Sequence, residues 1–149
     1  MAYQIKIFSY KIPEYEKALV LRDRVLRKPL GLTFSAEELK KDEGDIHFGL
    51  FEGEVILACL ILTRTDNQRM KMRQVAVDDN YQGKGLGKEL SEAAEDYALE
   101  SGFNVMFCNA RKTAVPFYQK LGYHTVGDEF TEVNIPHYYM EKHLGISHQ

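Results

Sequence analysis

The sequence predicts an α+β fold: a mixed β-sheet carrying helices, with one strand–helix–strand unit in its C-terminal half. Three patterns predict it. Apolar runs at residues 46–52 and 55–65 flank Gly53-Glu54, the arrangement of a tight hairpin. Leu86, Leu90, Ala93, Ala94, Tyr97 and Ala98 recur at helical spacing. A strand pattern at about 69–77 precedes that helix and a short apolar strand at 105–108 follows it.

In chain order, residues 3–8 read as a first strand, with Tyr3, Ile5 and Ile7 alternating against Gln4 and Lys6. Pro13 suits a first helical position, so a helix is expected from there to about Arg27, stopped by Pro29 and Gly31. Ser35 and Glu38 have capping-box spacing for a short helix over 36–41. The run from Val55 to Leu62 is apolar on both faces and belongs in the sheet interior. Asp78-Asp79-Asn80 ends the strand at 69–77, and Gly102 closes the helix that begins near Leu86. Ala114, Phe117, Tyr118 and Leu121 share one face of a second short helix closed by Gly122, with Pro116 tolerated in its first turn. A last strand is expected at 138–142.

At 149 residues the chain fits one domain, 1–149, with room for a substantial core. Lys and Arg number 19 against 22 Asp and Glu, a formal charge of −3, which is no footprint for nucleic acid. The longest strictly apolar run is eight residues against the about 20 a membrane helix needs, so no membrane partner is expected. No signal-peptide pattern opens the chain, and the expected location is the cytoplasm. Cys59 and Cys108 form no CxxC motif, and His47, His124, His143 and His148 show no metal-ligand spacing. They read as surface or strand residues, and no metal is expected.

The segment that carries chemistry runs from Val75 to Lys88, placing a glycine-rich turn between strand and helix. Backbone N–H groups at a helix start, with the helix dipole behind them, favour an anion; glycines admit it close to the backbone. Lys84 and Lys88 add charge. The loop is a phosphate or pyrophosphate cradle. It is no Walker A loop, because Glu89 follows Gly87-Lys88, and Gly83, Gly85 and Gly87 give GxGxG, not the dinucleotide GxGxxG.

Gln82, Gly85 and Gly87 form Q-x-x-G-x-G, which resembles the acetyl-CoA pyrophosphate loop of the GNAT N-acetyltransferase superfamily. Asn109, followed by Ala114, Phe117, Tyr118, Gly122 and Tyr123, resembles that family's second recurring stretch. The resemblance covers residues 72–123, and the tail from Phe130 to His137 is similar to ElaA-type acetyltransferases. It implies a GNAT-like mixed, mostly antiparallel twisted sheet of about six or seven strands with about four helices. It implies acetyl-CoA as acyl donor, no metal, and transfer to a small-molecule or peptide amine; family habit adds a homodimer. The backbones of Val75, Ala76 and Val77 would meet the pantetheine arm as an added strand. Gln82, Gly83, Lys84, Gly85, Leu86, Gly87 and Lys88 would hold the pyrophosphate. Asn109 would contact the pantetheine side, Ala114 and Phe117 would line the slot, and Tyr118 would sit beside the sulfur.

Acetyl transfer to an amine needs a neutral nucleophile, a donor for the developing oxyanion and a proton for the departing thiolate. Tyr118 suits the last role, as general acid. Glu132 and His137 are the base candidates, with Glu52 a weaker one. The acidic runs Asp42-Glu43 with Asp45, and Asp128-Glu129 with Glu132, could attract a cationic amine or simply be solvated. The alternative function is a non-catalytic acyl-CoA or nucleotide-binding sensor.

Overall fold

The computed structural model describes residues 2–145; His148 lies outside them. Eight strands form a mostly antiparallel sheet, with four α-helices and shorter helical turns. The strand order is β1-β2-β3-β4-β5-β8-β6, and β7 pairs with β8. The chain divides into two compact units, Met1–Thr63 with Gln74–Ala94, and Arg64–Arg73 with Glu95–Gln149.

The first unit begins with β1 (Gln4–Phe8) antiparallel to β2 (Ile46–Glu52). β2 turns back into β3 (Val55–Arg64) through Gly53, whose φ of 59° suits the tight turn the sequence predicts. Both strands are buried on both faces, as the unbroken apolar run requires. α1 (Pro13–Arg22) opens on its proline and lays Tyr15, Ala18 and Leu21 on a core with Phe8, Phe51, Ile56, Cys59 and Ala76. Gly49 is required there: a Cβ would stand 2.7 Å from the Phe51 ring and 3.1 Å from that of Phe8. The helix expected through Arg27 changes character at Asp23, continuing as a π-helical turn (Asp23–Arg27) and a 3₁₀ turn (Lys28–Leu30). α2 (Ala36–Lys40) carries the anticipated capping box: Ser35 Oγ accepts from the Glu38 N–H, and the Glu38 carboxylate accepts from the Ser35 N–H.

β4 (Arg69–Val77) runs from the second unit into the first, and α3 (Leu86–Glu100) from the first into the second. In the second unit β4 pairs in parallel with β5 (Val105–Arg111) over Arg69–Lys71 and Val105–Phe107. Among the described residues, no parallel pairing joins these strands beyond Phe107. α4 (Val115–Lys120) follows β5, with Pro116 in its first turn. β6 (His124–Thr125) and β7 (Phe130–Glu132) both pair with β8 (Ile135–His143), which lies antiparallel to the whole of β5.

Three expectations are revised. β5 extends to Arg111 rather than ending at Cys108, because β8 satisfies the backbone of its polar end. The last strand starts at Ile135, not 138, and the strands number eight. No helix among the described residues is long and apolar enough to cross a membrane.

Candidate functional site

The first unit holds the glycine loop. At Gln74, within β4, φ is 55°, and the side-chain Oε1 is buried without a hydrogen-bond partner. The strand ends at Val77, and Asp78 then caps a 3₁₀ turn (Asp79–Tyr81) by accepting from the Asn80 N–H at 2.9 Å. Arg24, in the π-helical turn, donates to Asp78 Oδ2 at 2.7 Å and ties the loop's first residue to the helical layer. The Gln82 amide folds back, donating to the Val77 carbonyl at 3.1 Å and to Asp79 Oδ1 at 3.3 Å. Its side chain therefore shapes the loop.

Gly83 (φ 80°) and Gly85 (φ 82°) both occupy the left-handed region, and a Cβ on either would meet nothing within 4 Å. Backbone conformation, not crowding, selects glycine there, and a space open to an approaching group is left. Glu89 donates to the Gly85 carbonyl at 3.0 Å, so α3 starts here, and the first-turn N–H groups of Leu86, Gly87 and Lys88 have no helical acceptor. Gln82, Gly83, Lys84, Gly85 and Lys88 are exposed. Lys84 Nζ stands over the Tyr81 ring at 5.4 Å. The loop can accept an anion.

Val75, Ala76 and Val77 end β4 in the first unit; the second unit holds Asn109, Ala114, Phe117, Tyr118, Glu132 and His137. Tyr118 is buried, edge-on to Phe117 at 5.0 Å and to Tyr123 at 5.7 Å. Burial raises its pKa well above the usual phenol value, and the neighbouring Cys108 adds to the rise, so the phenol stays protonated. Tyr123 is anchored in turn, donating to Glu95 Oε2 at 2.8 Å, while Lys142 donates to Glu95 Oε1 at 2.9 Å. Ala114 and Phe117 are half-buried at the head of α4. The Cys108 thiol is core, its pKa pushed up to about 12 by burial; Cys59 is pushed equally far.

Asn109, the expected pantetheine contact, lies on β5 two residues before its end. Its Nδ2 donates to Glu132 Oε1 at 3.3 Å. Glu132 closes β7, opposite Ile135, and the two-residue turn between them is Val133-Asn134, at φ 49° and 60°. His137 is buried, its Nδ1 at 2.8 Å from the Ile135 carbonyl and its Nε2 at 3.9 Å from Glu132 Oε2. The ring stacks on Phe130 at 5.9 Å. Glu132 thus stands between Asn109, which donates to one of its oxygens, and His137, which lies near the other.

Other expectations change. Asp42 is neither a solvated residue nor a lure for substrate: it is fully buried, accepting from Tyr15 at 2.7 Å and Arg22 at 2.8 Å. His47 is a strand residue but not a surface one; its Nε2 lies 2.9 Å from the Asp42 carbonyl. Glu52 ends β2, half-buried, and Glu129 pairs with Lys112 at 3.3 Å. Sequence reasoning missed Gln74, Arg24 and the Val133-Asn134 turn. A valine at positive φ has no signature in a sequence, whereas Arg24 is visible only once Asp78 is placed. Among the described residues, no group of three or more His, Cys, Asp or Glu is placed to hold a metal ion.

A mixed sheet in which a strand leads through a glycine loop into a helix, and a following strand leads into an aromatic helix, defines an acetyltransferase-like α+β fold. The chain belongs to the GNAT acetyltransferase family, whose domain model, an acetyltransferase (GNAT) domain, matches residues 27–144. The Bacillus subtilis N-acetyltransferase YitI, itself uncharacterized, is 27% identical over 130 residues, 83% of this chain and 87% of that one. Two further Bacillus subtilis relatives, 35% and 34% identical, are matched over only 49% and 50% of their lengths. The crystal structure of Escherichia coli ElaA superposes with a TM-score of 0.76 at 18% identity, covering 95% of this chain and 99% of that one. An Elizabethkingia anophelis GNAT acetyltransferase with acetyl-CoA bound superposes with a TM-score of 0.73 at 16% identity, covering 95% and 98%.

Proposed function

We propose that this chain transfers an acetyl group from acetyl-CoA to a primary amine, by direct attack of the amine within a ternary complex. The observation that carries the reading is the loop from Gln82 to Lys88: two left-handed glycines, open space around their Cβ positions and first-turn N–H groups that have no helical acceptor. A pyrophosphate matches that array, since its oxygens accept from N–H groups and its charge complements the helix start. Lys84 and Lys88, both exposed on the loop, add positive charge.

The backbone of Val75–Val77 would pair with the pantetheine amides, strand to strand. An N–H of that segment would stabilise the oxyanion formed when the amine attacks the thioester carbonyl. Tyr118 would give its proton to the departing sulfur; it is protonated and buried, as a proton donor in a water-poor site must be. The acceptor, whether small molecule or peptide, must shed a proton: an alkylamine at pKa ~10.4 is charged at pH 7, a deficit of about 4.6 kcal/mol. No nucleophilic side chain is needed.

Calorimetric titration with acetyl-CoA, with ATP and NAD as controls, tests the reading. Acetyl-CoA binds and the controls bind at least tenfold more weakly. Gly85→Glu, which sets bulk and negative charge against the pyrophosphate, abolishes acetyl-CoA binding while the chain stays folded by circular dichroism. Unchanged affinity in the folded variant would refute the loop assignment.

A further inference from the structure

We propose that Glu132 is the group that removes the proton from the acceptor, with Asn109 and His137 as its positioning residues. This rests on the acetyl-transfer reading above and assigns the one role that reading leaves open.

The geometry is specific. Successive residues of β5 present their side chains to opposite faces of the strand. Cys108 faces Tyr118, close enough for the two to interact electrostatically, so the proton donor belongs to that face. Asn109, one residue on, faces the other way and holds Glu132. Donor and acceptor of protons therefore lie on opposite faces of one strand.

Glu132 suits the acceptor role better than His137. Its side chain is 48% exposed, so a substrate can reach it, whereas that of His137 is 4% exposed. The Asn109 side-chain amide donates to one carboxylate oxygen and fixes its direction. His137 stands behind the second oxygen, its own ring fixed by the Ile135 carbonyl and by stacking on Phe130. The turn that presents Glu132 is held under strain. Val133, β-branched, sits at φ 49°, a conformation that costs of order 1–3 kcal/mol and persists only where surrounding structure enforces it. A glycine would relieve the strain; the register Glu132↔Ile135 would not need it.

The step balances. An acceptor ammonium gives a proton to the Glu132 carboxylate, and the freed nitrogen lone pair forms the C–N bond. The C–S bond breaks, and the sulfur takes the Tyr118 proton. Glu132 passes its first proton to water, then takes the second nitrogen proton and passes that on as well, and Tyr118 recovers its proton from water. One proton is released per amide formed.

The test measures thiol release from acetyl-CoA with spermidine, a lysine-containing peptide and kanamycin as probe amines, and with water alone, which would give its proton to the same carboxylate. Glu132→Gln lowers turnover about 100-fold or more with acetyl-CoA affinity unchanged. Formate restores part of the turnover lost by Glu132→Ala, which a merely structural carboxylate would not allow. Asn109→Ala lowers kcat about tenfold, and adds nothing when combined with Glu132→Gln, because it acts only through that group. Turnover of Glu132→Gln within twofold of the parent would overturn the assignment and leave acetyl transfer standing. Loss of acetyl-CoA binding in that variant would overturn it too, by placing Glu132 in the donor site. A parent chain that fails to bind acetyl-CoA would defeat the function and this assignment together.

Discussion

Tyr118 shows how a single residue's chemistry follows from its surroundings. Burial among Phe117 and Tyr123 and the nearness of Cys108 raise its pKa, which removes it from consideration as a base at any physiological pH. A free phenol is already a weaker acid than a thiol by about 1.5 pKa units, so giving a proton to thiolate is uphill by about 2 kcal/mol. The same water-poor setting destabilises the thiolate, which narrows that gap. Tyr118→Phe is therefore expected to lower kcat by about 100-fold while leaving acetyl-CoA affinity untouched, read by steady-state thiol release beside calorimetry. Equal turnover would reduce the residue to packing. Tyr118 and the loop glycines are legible in the sequence because their spacing is local. The Asn109–Glu132 contact is not, since it joins residues 23 positions apart through a turn whose left-handed residues are valine and asparagine.

At the scale of elements, the first unit is fastened by a buried polar knot. Asp42, in the connection after α2, accepts from Tyr15 and Arg22 on α1, and its carbonyl meets His47 on β2. Helix, connection and strand are thereby locked in one register. Arg22 and Asp42 are both almost wholly inaccessible, so removing one partner strands a buried charge. Asp42→Ala is expected to destabilise the chain by about 3–5 kcal/mol, measured by urea unfolding. Asp42→Asn, which keeps an acceptor oxygen, should cost less; equal losses would mean that charge plays no part. The acidic run around Asp42 reads as a solvated loop because nothing local reveals Arg22, 20 positions earlier. Elements with several repeats of their own period are legible: β2, β4, α3 and the α2 capping box. β6 and β7, two and three residues long, carry no period, and each is paired with β8. The π-helical turn is likewise invisible, since Asp23–Arg27 keeps an ordinary helical composition.

For the molecule as a whole, the titrating groups buried in its interior set the pH range in which it stays folded. Burial holds His47 below its ordinary 6.5; the hydrogen bond to the Asp42 carbonyl and the Asp42 charge oppose it in part, and the Arg22 charge adds a smaller push downward. The unfolded imidazole takes a proton near pH 6.5 and the folded one resists until lower pH. The unfolded state thus binds more protons in that window, and stability falls as pH drops below about 6.5. Glu38, held below 4.5 by hydrogen bonding to Arg27, extends the decline at more acid pH. Tyr15, Tyr118 and Tyr123 act in the opposite range. Their folded pKa values lie above 10.0, so the folded state keeps protons the unfolded chain releases, and stability is lost as pH rises past 10. The buried Cys59 and Cys108 thiols, raised from 9.0 to about 12, begin the alkaline loss somewhat earlier, so the Tm should be level between about pH 6.5 and 9 and fall on both sides, as followed by circular dichroism. His47→Gln, whose amide can still donate to the Asp42 carbonyl, should flatten the fall between pH 6.5 and 5 and leave the alkaline limb unchanged. A parent chain whose Tm holds constant from pH 7 to 5 would show that the imidazole is not kept from its proton by the fold.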